Sequence, residues 1–200
     1  MQVCLEPEDT VAAPVEAVPF GERGLQSVFR VVAHPGQIVE VRDPVPAPGP
    51  LNRASATLCA AMLGRELPLW TDLHWRSTAC YWLQYDCQSS IVSEPCMAMY
   101  AMILHPKSMP ALTEFRLGGS DVGKPPTTLM IQIAEFEPIF APTRANRFRS
   151  RPVPFFPVGL PDDFWAQRVS LMRADPRGID IVFTHGDQMM FLPGNHRINA

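Results

Sequence analysis

Few stretches of this chain bring together residue types that do chemistry. "GGSDVGKP" places Gly118, Gly123 and Lys124 in the G-x-x-x-x-G-K spacing of a phosphate loop. Such a loop works when backbone N–H groups at a helix start converge on phosphate and a following Ser or Thr holds magnesium. Here Pro125 and Pro126 follow the lysine, and a strand-like run comes next, so the stretch reads as a surface loop. "TRANRFRSRPVPFF" holds Arg144, Arg147, Arg149 and Arg151 within eight residues. Four guanidinium groups suit a phosphate or an acidic partner, and the plainer alternative is a solvated connector. Phe148, Phe155 and Phe156 add apolar surface, which makes docking to a protein more natural than catalysis.

Other candidates are single residues. Asp180 stands between Ile179 and Ile181, where a buried carboxylate needs a partner. Its structural reading, capping a neighbouring loop, is preferred to a site role. Arg30 precedes "HPG" and can clamp a phosphate or pair with a carboxylate. Arg30, the Arg144 to Arg151 group and Asp180 together form the candidate phosphate-ester pocket. His185, Asp187 and His196 can converge across a hairpin, but Gly186 between the first two breaks the alternation that would align them, and no metal site is expected. There is no G-x-S-x-G elbow, no cysteine in a catalytic setting and no dinucleotide fingerprint after a strand. No catalytic residue and no cofactor are therefore assigned.

The elements that must position these groups alternate between helical and extended patterns. Residues 1–18 are acidic, broken by Pro7 and Pro14, and read as a loose arm preceding one domain over residues 19–200. Leu25, Val28, Phe29 and Val32 follow helical spacing up to the break at Pro35. "QIVEV" reads as a strand, "LNRASATLCAAMLG" as a helix and "ELPLWT" as a strand. "LHWRSTACYWLQYD" reads as a helix bearing Trp75 and Trp82, and "SSIVSEP" is extended. "CMAMYAMIL" fits either a strand or a buried helix, since periodicity alone does not separate the two in a short apolar run. "TTLMIQIAEFEPI" is the clearest strand. "DDFWAQRVSLMRA" is a helix with Asp162 or Asp163 at its N-cap, and "IDIVFTHGDQMMFL" is a hairpin. This alternation predicts an α/β domain: a mixed-sheet sandwich with flanking helices.

Composition narrows the class. The 200 residues are 46% hydrophobic and 18% charged with a formal net charge of -3, which suits a globular domain and argues against a nucleic-acid binder. Five cysteines, with no C-x-x-C pair, suggest buried thiols in a reducing compartment. The first 20 residues lack the basic start and apolar core of a signal peptide, and no apolar run approaches the ~20 residues that span a bilayer. A cytoplasmic location and no membrane partner follow as expectations.

"SVFRVVAHPGQIV", "PLNRASATLCAAML", "TTLMIQIAEF", "VGLPDDFWAQR" and "RGIDIVFTHGDQMMFLPG", in this order over residues 20 to 197, resemble the PhnH family. That family is the H subunit of the carbon–phosphorus lyase core complex of phosphonate breakdown. Two places depart from its pattern: Gly194, Asn195 and His196 stand where Arg-Thr-Thr is usual, and "LQYDCQ" (83–88) replaces a Phe-His-Thr-like segment. The resemblance implies a reduced version of the pyridoxal-phosphate-dependent transferase fold without a Schiff-base lysine. Lys107 and Lys124 both lie in proline-flanked loop sequence. It further implies a homodimer that joins subunits G, I and J. With G, I and the L protein, such a subunit is required to transfer the ribose triphosphate moiety of ATP to an alkylphosphonate, as a structural or accessory component of the assembly.

Overall fold

The computed structural model describes residues 22–65, 67–117, 125–138, 155–175 and 177–195. The arm, the Gly118 to Lys124 loop, Arg144, Arg147, Arg149, Arg151 and His196 lie outside them.

Seven strands form one sheet in the order β1-β9-β8-β5-β4-β2-β3. They are β1 (Ile38–Glu40), β2 (Pro68–Thr71), β3 (Ser90–Ile91), β4 (Tyr100–Ile103), β5 (Thr128–Gln132), β8 (Ile181–His185) and β9 (Gln188–Leu192). Neighbours from β8 to β3 pair parallel, whereas β9 pairs antiparallel with both β8 and β1. The central strands are apolar at successive positions because helices cover both faces, as parallel sheets require. Ala101, Met102 and Ile103 in β4 and Leu129, Met130 and Ile131 in β5 are all buried.

Alternate side chains feed two cores. On one face Met102, Met130, Val182 and Met189 meet α1 (Glu22–Ala33), α2 (Arg53–Met62) and α3 (Thr78–Tyr85). On the other, Ile103, Leu129, Ile131 and Phe183 meet α4 (Phe164–Ala174) and the 3-10 turn Leu112–Glu114. The result is the expected α/β sandwich with a mixed sheet. Helix α2 is buried continuously from Ala54 to Cys59. Its small Ala, Ser, Thr and Cys side chains let α1 and the sheet approach it from opposite sides.

The structure departs from the sequence reading at three points. Helix α1 buries Gly24, Ser27, Val28 and Val31, while Phe29 and Val32 remain 64% and 46% exposed. The stripe is rotated because Ser27 is anchored inward: its Oγ donates to Arg23 O at 2.9 Å and accepts from Arg42 N at 3.1 Å. Trp75 precedes α3 rather than lying on it, since Ser77 is the N-cap and its side chain accepts from Cys80 N. The run 127–139 is two strands, not one. Ile133 N still bonds Thr184 O in the main sheet, but Ala134 N turns to Val158 O, and β6 (Glu135–Pro138) pairs with β7 (Phe155–Val158) as a separate antiparallel ribbon. Asp163 occupies the N-cap of α4 as expected, with its Oδ2 accepting from Gln167 Nε2 rather than from a backbone N–H. The ambiguous run around Met99 is settled as strand β4, pinned between β2 and β5.

Candidate functional site

In an open parallel sheet, ligands bind beyond the carboxyl ends of strands, where successive connections leave to opposite faces. The chain leaving β2 passes through α3 on the first face to edge strand β3. The chain leaving β4 runs through 3-10 turns at Pro106–Ser108 and Leu112–Glu114, the latter on the second face, to β5. The divergence opens between the ends of β2 and β4.

Asp72 is the first residue past β2. Its oxygens accept from Leu104 N at 2.9 and 3.1 Å and from His105 N at 2.6 Å. His105 Nδ1 lies 3.3 Å from Asp72 Oδ2, with the two side chains 65% and 15% exposed respectively. A shielded carboxylate thus holds one edge of an imidazole whose other edge meets solvent. A carboxylate that takes the Nδ1–H of a histidine in this way leaves the outer Nε2 as an acceptor, the arrangement in which an imidazole takes up a proton. Beyond Asp72, His74 stacks on Trp75 with ring centroids 5.9 Å apart, and the Arg76 guanidinium carbon sits 4.3 Å from the Trp75 ring centre. Trp75 is 62% exposed. Two residues past His105, exposed Lys107 lines a cleft of about 270 Å³ together with Met109, Leu112, Phe164 and Gln167. Gln167 braces that cleft by accepting from Leu112 N at 2.8 Å and donating to Asp163.

A second polar network lies at the carboxyl ends of β5 and β8. Asn52 caps α2, its Oδ1 accepting from Ser55 N at 2.7 Å, and its own N–H donates to Gln132 Oε1 at 2.8 Å. Ser55 Oγ bonds Thr184 Oγ1 at 2.7 Å, and Gln132 Nε2 donates to Pro50 O at 3.2 Å. Arg53 forks onto Asp187 in the β8–β9 turn, with Nε to Oδ1 at 2.6 Å and Nη2 to Oδ2. The bond from Arg53 holds the Asp187 carboxyl below its ordinary range. These groups satisfy one another, and Ser55 and Thr184 are fully buried. The network fastens the loop before α2 to the carboxyl ends of the central strands.

The sequence candidates are placed as follows. Arg30 is exposed on α1, over the first face. Asp180 lies at the opposite, amino-terminal end of β8, where its Oδ1 accepts from Gly194 N at 2.7 Å. It also faces buried Arg168 of α4 on the second face. Burial lowers the Arg168 guanidinium pKa while the Asp180 charge opposes that shift. Arg30 and Asp180 are therefore on different layers, and the arginines from 144 to 151 lie outside the described residues. His185 Nδ1 lies 3.4 Å from Ile133 O, and Asp187 is engaged by Arg53. Among the described residues no three His, Cys, Asp or Glu side chains gather as metal ligands. Asp72, His105, Trp75 and the cleft at Lys107 were not singled out by sequence. The available signal was a polar residue immediately after each of two apolar strand patterns.

Thiol chemistry is muted. Burial pushes Cys87 up to about 12 and Cys59 well above the ordinary thiol value, and it raises Cys80. Cys96 is exposed. No helix among the described residues is long and apolar enough to cross a membrane.

Comparison with known proteins agrees with the ordered blocks in the sequence. A curated relative from Rhizobium meliloti (strain 1021), the alpha-D-ribose 1-methylphosphonate 5-triphosphate synthase subunit PhnH, is 27% identical over 179 residues, covering 84% of this chain and 86% of that protein. The profile of the bacterial phosphonate metabolism protein PhnH matches residues 22–199, which contain the whole described fold, and the chain belongs to the PhnH family.

Proposed function

We propose that this chain serves as a subunit of an alpha-D-ribose 1-methylphosphonate 5-triphosphate synthase in the carbon–phosphorus lyase pathway. It acts there by contact with other subunits. The carrying observation is the family match over residues 22–199. In this reading the chain forms a homodimer, joins subunits G, I and J in the cytoplasm, and works with G, I and L in transferring the ribose triphosphate moiety of ATP to an alkylphosphonate. Exposed apolar side chains support an assembly role: Phe29 and Val32 on α1, and Tyr81 and Tyr85, stacked at 6.1 Å, on α3. Surfaces of this kind mark partner contacts. Arg30 beside Phe29, and the arginines from 144 to 151, supply charge for such a contact. A mainly parallel sheet covered on both faces is compatible with a reduced pyridoxal-phosphate transferase scaffold, and Lys107 is exposed in a 3-10 turn, unlike the desolvated lysine a Schiff base needs.

The test is reconstitution of ATP-dependent phosphonate transfer from purified subunits with and without this chain. Transfer should require it, and it should co-purify with the G, I and J subunits. Full transfer in its absence would refute the assignment.

A further inference from the structure

We propose that the cleft between the 3-10 turns after β4 and the start of α4 binds a small amino carboxylate, with Lys107 facing its carboxylate and Asp163 facing its ammonium group. This inference goes beyond assembly, because it gives the isolated chain a ligand.

Three observations carry it. The first is the charge of the lining. Lys107 and Asp163 are the charged residues around this space of about 270 Å³, and both are exposed. The ion pairs among the described residues join Arg53 to Asp187, His105 to Asp72 and Arg177 to Asp175. One cation and one anion therefore share a cleft without pairing with each other. The second is the way the Asp163 carboxylate is held. An aspartate at a helix N-cap ordinarily accepts from a backbone N–H two or three residues on. Asp163 makes no such bond. Its Oδ2 accepts from Gln167 Nε2 at 2.8 Å, and Gln167 Oε1 in turn accepts from Leu112 N at 2.8 Å. This relay ties the 3-10 turn to α4 and fixes the carboxylate in the cleft wall, while Oδ1 has no partner among the described residues. The third is the floor. Leu112 and Phe164 are each 1% exposed, and Met109 and Pro161 line the space beside them. These apolar groups, on two elements joined by the Gln167 relay, form a fixed surface on which a ligand's methylene or methyl groups lose water.

Charge decides the ligand class. The lining sums to zero, with one group for an anion and one for a cation. A molecule with one carboxylate and one ammonium satisfies both. A phosphate dianion exceeds the single cation and is repelled by Asp163, and a simple amine leaves Lys107 unmatched. The nearby Glu114 does not alter this balance, because its Oε1 is engaged by Ala111 N at 2.9 Å. Ligand pockets run from roughly 300 Å³ upward, so a space of about 270 Å³ suits an amino acid better than a nucleotide.

The experiment uses the full chain with 13C-methyl methionine, which gives ten signals, that of Met109 assigned by Met109→Leu. Glycine, L-leucine and 4-aminobutyrate are titrated separately at constant ionic strength, with butyrate and butylamine as singly charged controls. The Met109 signal should move saturably with an amino carboxylate, at least tenfold more tightly than with either control. Tightest binding by leucine places a side chain on the Leu112–Phe164 floor, and tightest binding by 4-aminobutyrate sets the two charges apart; both support the site. Lys107→Gln should weaken the best ligand about tenfold and leave butylamine unchanged. Asp163→Asn, which keeps an oxygen for Gln167, should weaken it likewise and leave butyrate unchanged. Both residues are exposed, so these variants remove charge with the core intact. The proposal is overturned if no amino carboxylate saturates the Met109 signal up to about 50 mM, a range that detects millimolar affinity. It is equally overturned if butyrate or butylamine binds as tightly as the best amino carboxylate, or if either variant binds that ligand as the parent does. None of these outcomes depends on the other subunits, so failure here leaves the assembly role standing.

Discussion

Replacing Gly178 by alanine puts a methyl group where the chain has no room for one. Gly178 precedes β8, with φ at +59°, and faces Gly194 just past β9. An added Cβ would lie against Gly194 O, 2.7 Å from its carbonyl carbon and 3.0 Å from its Cα. The obstacle is backbone, and it cannot swing aside, because Gly194 N is bonded to Asp180 Oδ1 and the neighbouring Pro193 O accepts from buried Arg168 Nη2 at 2.6 Å. Three effects add. The left-handed conformation costs an alanine about 1–2 kcal/mol. Forcing a methyl into packed atoms costs about 1–3 kcal/mol. Restricting the unfolded chain returns about 0.4–1 kcal/mol. The net is a loss of about 3 kcal/mol, equivalent to roughly 6–12 °C in Tm for a chain of this length. Gly186 is the internal control: its φ is +54°, but nothing lies within 4 Å of an added Cβ. Gly186→Ala should cost only the conformational part, about 1 kcal/mol after the unfolded-state offset. Urea unfolding of the two variants and the parent, followed by tryptophan fluorescence, measures the difference. If Gly178→Ala were no more destabilising than Gly186→Ala, the claim that the two glycines close the ends of the hairpin against each other would fail.

Phe183→Ala should lose about 3–5 kcal/mol in the same assay, since Phe183 is fully buried between the rings of Phe164 and Trp165. Arg30→Ala should leave stability within about 0.5 kcal/mol of the parent but lower activity of the reconstituted synthase; an unfolded variant with no assembly effect would contradict the assembly reading. Above about pH 9 stability should fall, because the unfolded chain releases thiol protons that native Cys59 and Cys87 retain; the alkaline limb of a pH–stability curve should flatten in Cys87→Ala. The Asp187 carboxyl is held low by Arg53, so its contribution should be complete above the ordinary carboxylate range and disappear as pH falls through the lower folded value; the gap in stability between the parent and Asp187→Asn should close on acidification. With Cys4 replaced by serine, a thiol reagent at pH 8 should label Cys96 in the native chain and reach Cys59, Cys80 and Cys87 only after unfolding.

Local patterns in the sequence determined most of the elements. Asn52 and Ser77 cap helices because a short polar side chain there reaches a backbone N–H three residues on. The Gly186–Asp187 turn makes the hairpin, and Pro35 follows closely on the end of α1. These are effects of neighbours within a few residues, and they are written in the chain as it stands. The blocks also identified the family, because several segments of weak individual specificity follow one another in the family's order. What the tertiary structure alone decided depends on contacts between distant segments. The rotation of α1 that leaves Phe29 outside follows from Ser27 bonding Arg42, and the split of the 127–139 run follows from Ala134 changing partner to Val158. Asp72 and His105 are 33 residues apart and meet because β2 and β4 pair, a non-local event that no periodicity encodes. Asp180 looked like either a cap or a site residue from its apolar neighbours, and only the fold brings Gly194 and Arg168 to it.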